Sequence, residues 1–149
     1  MIEAVTGRDD EVAAFVASRT GAERGFGPCV GIAWMDGPEM VAGTVYHNFY
    51  REAGVIELSS AADHPRWLTR NTLEAMFSYP FDQLGCQLIV LRISEYNTRM
   101  RGIARRFGFT ETIIPRLRGL NEAESICTLT VDQWRASRFK SLRGHRTSN

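Results

Sequence analysis

Along the first half of the chain, short runs of β-branched and apolar residues are separated by turn residues, and two stretches repeat instead at helical spacing. Ile2 to Val5 is predicted as a first strand. Val12, Phe15 and Val16 recur at helical spacing after Asp9 and Asp10, either of which can cap a helix running through about Ser18. Gly21 to Pro28 is glycine-rich and is expected to loop over a sheet. Val30 to Met35 and Met40 to Tyr46 read as strands, and Asp36-Gly37-Pro38 between them is a turn signal, so the pair is expected to form a hairpin. Gly54 to Ser60 is predicted as a third central strand. Thr72 to about Phe77 forms the core of the next helix, which Pro80 is expected to break.

The segment from Leu88 to Phe109 carries the strongest pattern. Leu88, Ile89, Val90, Leu91 and Ile93 form a near-continuous β-favouring run, as expected of a strand covered on both faces. Asn97 can then cap a helix whose Met100, Ile103, Ala104 and Phe107 define one apolar face. Gly108 stops that helix, because the left-handed conformation at a helix C-terminus is cheap only for glycine. A strand from Thr110 to Ile114, an arginine-rich loop and a strand from Ser125 to Val131 follow. The order predicts an α/β (α+β) chain with a mixed, mostly antiparallel central sheet of six to seven strands flanked by helices. Residues 1–136 are expected to be one domain and 137–149 a basic, flexible tail.

The Asn97 to Phe109 segment resembles motif B of the GNAT superfamily of acetyl-CoA-dependent acyltransferases, in which an Asn opens a helix that Gly-Phe closes eleven and twelve residues later. Many members carry a tyrosine seven residues after the Asn as general acid toward the leaving thiolate, whereas Ala104 stands there in this chain. That substitution, and the run CTLTVDQWRAS with Trp134, is similar to the ribosomal-protein N-terminal acetyltransferase branch. Phage and prophage GNAT proteins share the general look. The resemblance implies a GNAT-like acyl-CoA N-acyltransferase fold with acetyl-CoA as cofactor.

Composition narrows the setting. The 149 residues are 44% hydrophobic, enough to bury a core as a single domain. A formal net charge of +1 gives no overall attraction to nucleic acid or to an anionic membrane. Cys29, Cys86 and Cys127 are widely spaced and set among apolar residues, which suits free thiols in a reducing, cytoplasmic compartment. No apolar run approaches the roughly 18 residues of a membrane span. His47, His64 and His145 have no partner at metal spacing, so no metal is expected.

A pyrophosphate is best held where amides converge at a helix N-terminus. The run SSAADHPRWLTRNTLEAMF is the counterpart, by resemblance, of the family's phosphate loop, although its usual glycines are absent. Leu68, Thr69, Arg70, Asn71 and Thr72 are the implied cofactor contacts, with Arg66 as a further phosphate ligand. The backbone of Ala61, Ala62 and Asp63 is expected to pair with the pantetheine arm, and Asn97 and Arg101 to approach the cofactor from the motif B helix, with Asn97 also a catalytic candidate. Glu57, in the apolar strand VIEL, is the leading general base, because burial would raise its pKa toward working pH. His47 is a second candidate base. Ser60, Ser59 and Tyr96 are candidate proton donors to the thiolate.

These residues point to an N-acetyltransferase that moves an acetyl group to a primary amine by direct attack in a ternary complex. The acceptor is expected to be an amine-bearing small molecule or a protein N-terminus. Two alternatives stay open: a Mom-like phage enzyme of the same fold that modifies DNA bases, with Arg116, Arg118 and the tail as its basic cleft, and a non-catalytic acyl-CoA-binding protein. A homodimer through the last strand is a further expectation.

Overall fold

Residues 1–137 are described by the structure, a computed structural model, and they form one seven-stranded sheet in the order β1-β2-β3-β4-β5-β7-β6. Its strands are β1 (Ile2–Val5), β2 (Cys29–Asp36), β3 (Glu39–Tyr50), β4 (Val55–Ala62), β5 (Leu88–Ser94), β6 (Thr110–Ile114) and β7 (Glu124–Thr130). Neighbours are antiparallel except for β4 and β5, which run parallel. The helices are α1 (Asp9–Thr20), α2 (Arg70–Ser78), α3 (Thr98–Phe107) and α4 (Val131–Ala136). The expected tail, apart from Ser137, lies outside the described residues. Among the described residues no helix is long and apolar enough to cross a membrane.

Alternation along the strands sorts side chains to two faces. Ile56 and Leu58 of β4 and Ile89 and Ile93 of β5 share a large core with Met76 and Phe77 of α2, Ala104 of α3 and Trp134 of α4. The opposite face is covered by α1, whose Val12 and Val16 pack on Ala33, Met35 and Val45. Glycine permits that approach: a Cβ on Gly31 would stand 2.7 Å from the Val12 Cβ. All three tryptophans are core residues, and Cys29, Cys86 and Cys127 are free thiols.

Helix ends follow their caps. Asn97 accepts the Met100 amide at 3.2 Å, and Gly108 closes α3 at φ 115°, turning Phe109 back into the core against Phe77. Thr69 and Thr72 form a reciprocal capping box at the start of α2. Arg8, rather than Asp9 or Asp10, occupies the cap position of α1, and Asp9 accepts the Gly31 amide at 2.9 Å instead. Pro80 does end the α-helical pattern, but the path continues through a π-helical turn, Tyr79–Gln83, before the chain enters β5. The last strand lies between β5 and β6, so both its edges are paired and it cannot extend the sheet into a second copy edge to edge; among the described residues the sheet's free edges are β1 and β6.

Candidate active site

The parallel pairing of β4 with β5 covers Val55↔Leu88 to Leu58↔Leu91 and goes no further. Beyond it β4 stays with β3 through Ala62, while β5 stays with β7 through Ser94. The two strands therefore diverge, and a cleft of about 1690 Å³ opens between them and extends to both faces of the sheet.

Ladder parity decides which backbone groups face this gap. The Asp63 amide donates to the Val41 carbonyl at 2.8 Å, so Asp63, Ala61, Ser59 and Glu57 are the positions whose backbone groups point toward β3. Ser60 and Ala62 alternate with them and direct their N–H and C=O groups into the gap, where β5 has left. Of the expected backbone contacts to pantetheine, Ala62 is thus well placed, Ser60 joins it, and Ala61 and Asp63 are committed to the sheet. The Asp63 carboxylate is also engaged, by a two-point contact with Arg19 at 2.6 and 2.7 Å. That pair holds the Asp63 pKa down and ties the end of β4 to α1.

On the α2–α3 side the cleft is apolar, lined by Leu68, Leu73, Met76, Met100, Ile103 and Phe107. The α3 face read from the sequence is therefore cleft wall as well as core. Arg99 and Arg106 of the same helix also line the cleft, and sequence periodicity gave no reason to select them. Thr69, Arg70 and Asn71 are exposed at the start of α2, one step beyond the lining residue Leu68. The amides of Arg70 and Asn71 have no intrahelical acceptor at this N-terminus, whereas that of Thr72 is held by the Thr69 hydroxyl at 3.2 Å. Thr72 itself is buried, with its hydroxyl donating to the Trp67 carbonyl, and so supports the loop from beneath.

Arg101 departs from expectation. Its Nε and Nη2 bind the two Glu111 carboxylate oxygens at 2.7 and 3.3 Å, its Nη1 donates to the Glu95 carbonyl at 2.9 Å, and it does not line the cleft. Hydrogen bonds from Arg101 and Ser125 hold the Glu111 pKa down, to about 2. Arg101 is thus a brace between α3 and β6. Tyr96 likewise lies off the cleft, its hydroxyl donating to the Asn121 carbonyl at 2.7 Å. Asn97 does line the cleft, its side-chain oxygen occupied by the helix cap.

The α1 side of the cleft is polar. Glu57 does not point to open solvent: its side chain is 16% exposed, with Oε2 3.6 Å from His47 Nε2 and Oε1 accepting from Asn48 Nδ2 at 3.0 Å. His47 Nε2 lies 2.9 Å from the Ser59 hydroxyl, and Phe26 from the α1–β2 loop packs on the imidazole at 4.9 Å between ring centroids. Burial lowers the His47 pKa, and the neighbouring Glu57 partly opposes that shift. Asn48 has φ 50° and sits where the β3–β4 register slips between His47 and Tyr50, so a bulge aims its amide at Glu57. Ser60 lines the cleft from the other face, where its hydroxyl is 2.9 Å from Thr44 Oγ1 and that hydroxyl accepts from Trp34 Nε1.

Across the gap, Arg92 of β5 faces the same side as Glu57. Its Nε binds the buried Glu124, which also holds Arg118. Ser94 and Arg118 both contact Glu122. The cleft therefore has an apolar passage on one face of the sheet and, on the other, the His47 imidazole, the carboxylates of Glu57, Glu122 and Glu124 and the guanidinium groups of Arg92 and Arg118.

No family model matches the chain, and no curated protein matches it in sequence. Solved structures do match its fold. A spermidine/spermine N-acetyltransferase from Vibrio cholerae superposes with a TM-score of 0.73 at 8% identity, over 90% of this chain and 97% of that one. A dodecameric spermidine N-acetyltransferase from the same organism gives 0.71 at 9% identity, over 89% and 95%. A GCN5-related N-acetyltransferase from Brucella melitensis gives 0.62 at 22% identity, over 76% of this chain and 55% of that one. Two further acetyltransferase structures are matched over 62% and 64% of their own length, so the chain spans less than two thirds of those proteins. The seven-stranded, mostly antiparallel sheet with its flanking helices is the GNAT acetyltransferase fold.

Proposed function

We propose that this chain transfers an acetyl group from acetyl-CoA to a primary amine, the amine attacking directly in a ternary complex. The observation that carries the reading is the divergence of β4 and β5 after Leu58↔Leu91, with the Ser60 and Ala62 backbone facing the gap. Acetyl-CoA fits this donor set. Amide and carbonyl groups in the gap match the peptide-like pantetheine arm, and the apolar α2–α3 wall matches its alkyl portions. The open amides of Arg70 and Asn71, with the guanidinium groups of Arg70, Arg99 and Arg106, match the phosphates. When bound, acetyl-CoA supplies the thioester carbonyl that accepts the amine and the thiolate that leaves.

Glu57 and His47 supply the proton chemistry. An incoming ammonium is attracted to the Glu57 carboxylate and must lose a proton before its lone pair can react. His47, kept neutral near pH 7 by burial, is the acceptor beside it, and Ser59 orients the ring. A C–N bond forms as the C–S bond breaks; of the two protons the nitrogen gives up, one goes to the departing thiolate and one to solvent. The spermidine acetyltransferases among the fold neighbours make an amine acceptor a natural choice. The features similar to the ribosomal-protein branch, Ala104 and Trp134, are core residues here and carry no acceptor information. Arg118 is matched by Glu122 and Glu124, which disfavours a basic groove for DNA.

Calorimetric titration with acetyl-CoA, followed by a thiol-release assay over a panel of primary amines, tests the reading. Micromolar binding and amine-dependent thiol release are expected. Absence of binding removes the cofactor assignment, and binding without turnover on any amine favours the non-catalytic alternative.

A further inference from the structure

Resting on that reading, we propose that the acceptor is a small zwitterion, carrying a carboxylate close to its amine, and that Arg92 is the residue that selects it. Arg92 alternates with the core residues Leu91 and Ile93, so it stands on the same face as Glu57 and Ser59. Glu57 pairs with Val90, and Arg92 lies two residues further along the same parallel strand. One strand spacing and two residues of rise separate their Cα atoms by roughly 8 Å before the strands splay. Two side chains reaching inward across that span leave room for a short molecule, and little more.

The formal charges around this space balance, Arg92 and Arg118 against Glu122 and Glu124, and leave Glu57 over. Glu124 is 2% exposed and binds both Arg92 Nε, at 2.5 Å, and Arg118, while Arg118 also binds Glu122. What remains is a Glu57 carboxylate whose nearest basic group is a neutral imidazole, and the forked Nη edge of Arg92, which has no partner among the described residues. The Arg92 side chain is 43% exposed and lines the cleft. Because its Nε is pinned by a buried carboxylate, the guanidinium is held in place before any ligand arrives, and a guanidinium fork suits a carboxylate. A zwitterion presents its ammonium to Glu57 and its carboxylate to Arg92. A linear polycation would instead bring a second ammonium against Arg92 and Arg118.

The test pairs acceptors that differ only in the anionic group: alanine with alaninamide and β-alanine with β-alaninamide, beside spermidine. Binding by calorimetry and acetylation by thiol release are both read, on wild type, Arg92→Met and Arg92→Lys. Arg92→Lys keeps a cation beside Glu124 and removes only the fork, so it remains informative if Arg92→Met folds poorly. Wild type is expected to favour the carboxylate member of a pair by about 10- to 100-fold in kcat/KM, as a charge-assisted hydrogen bond provides. In both variants that preference collapses, the loss falling on the KM of the carboxylate member and not on acetyl-CoA affinity. Preference for the amides or spermidine in wild type overturns the inference, as does an equal loss on both members of each pair in the variants. Arg92-dependent binding of a zwitterion without turnover upholds Arg92 as the selecting residue and overturns the catalytic reading; binding of neither pair member overturns the inference alone.

Discussion

His47 and Glu57 stand directly opposite each other in the β3–β4 ladder, with Nε2 3.6 Å from Oε2, and both line the cleft. Removing the charge while keeping the shape tests what that carboxylate does. Glu57→Gln retains a partner for Asn48, so the bulge and the fold should persist. Amine acetylation is expected to fall by about 10- to 100-fold, the worth of a lost charge-assisted contact to the ammonium, with acetyl-CoA affinity intact. An unchanged rate would remove Glu57 from the chemistry.

The pH dependence follows from His47. Its pKa is lowered from 6.5, first by burial, with Glu57 acting the other way. The imidazole therefore stays neutral to a lower pH than a free histidine, and the acid limb of kcat/KM should lie below 6.5. Glu57→Gln removes the opposing influence, so the His47 ring signal in NMR should titrate lower still. Linkage sets the sign for stability: between the folded and unfolded pKa values the unfolded chain binds more protons. Wild type should lose stability as the pH falls below 6.5, and His47→Gln should lose less over the same range.

Close packing of α1 on the sheet depends on two glycines. A Cβ on Gly31 would meet the Val12 Cβ at 2.7 Å, and one on Gly43 would meet Val12 Cγ1 and Val16 Cγ2 at 3.1 Å. The Val12 Cβ is fixed to the helix backbone and cannot swing aside. Gly31→Ala is expected to cost about 1–3 kcal/mol in denaturant unfolding, as overpacking does. Combining it with Val12→Gly, which removes that Cβ, should cost less than the sum of the two changes, because the new methyl then has nothing at 2.7 Å to meet. Strict additivity would show that α1 shifts freely.

Arg101 was expected at the cofactor and is found bracing β6. Arg101→Met should leave acetyl-CoA affinity unchanged and lower thermal stability at neutral pH. Glu111, held at about 2 by Arg101 and Ser125, contributes stability above its ordinary value of 4.5 and loses it as the pH falls toward 2. The deficit of the variant should therefore shrink below pH 4.5. A tenfold loss of cofactor affinity with unchanged melting would return Arg101 to the binding site.

Local signals account for what was legible in the sequence. Asn97 and Gly108 bracket α3 through contacts within a few residues, so that helix, its apolar face and the resemblance built on it could be read directly. Thr130 and Gln133 carry an equally local signal, a capping box, but the β-favouring run before them predicts a strand through Val131, where the short α4 begins instead. What stayed hidden depends on partners far away in sequence. Arg101 and Arg92 are alike on paper; only Glu111 and Glu124, brought beside them by β6 and β7, make the first a brace and the second a cleft residue. The sequence predicts β3 only as far as Tyr46, whereas the strand runs to Tyr50; Asn48 is a poor strand residue on its own, and its value lies in the bulge that places it on Glu57.

Ladder parity gives the sharpest test of the cofactor site, because two adjacent alanines should respond in opposite ways to the same change. Proline removes a backbone N–H and is tolerated in a strand only where that group is not part of the ladder. At Ala61 the N–H points toward Gly43 of β3, so Ala61→Pro should break the β3–β4 pairing and lower thermal stability sharply. At Ala62 the N–H points into the gap left by β5, where it holds no strand. Ala62→Pro should therefore keep most of the stability and instead weaken acetyl-CoA by about tenfold, the worth of one hydrogen bond. Calorimetry and thermal melting on the two variants measure both quantities. If the two prolines destabilise equally, or if Ala62→Pro binds acetyl-CoA as wild type does, the cofactor arm does not pair with β4.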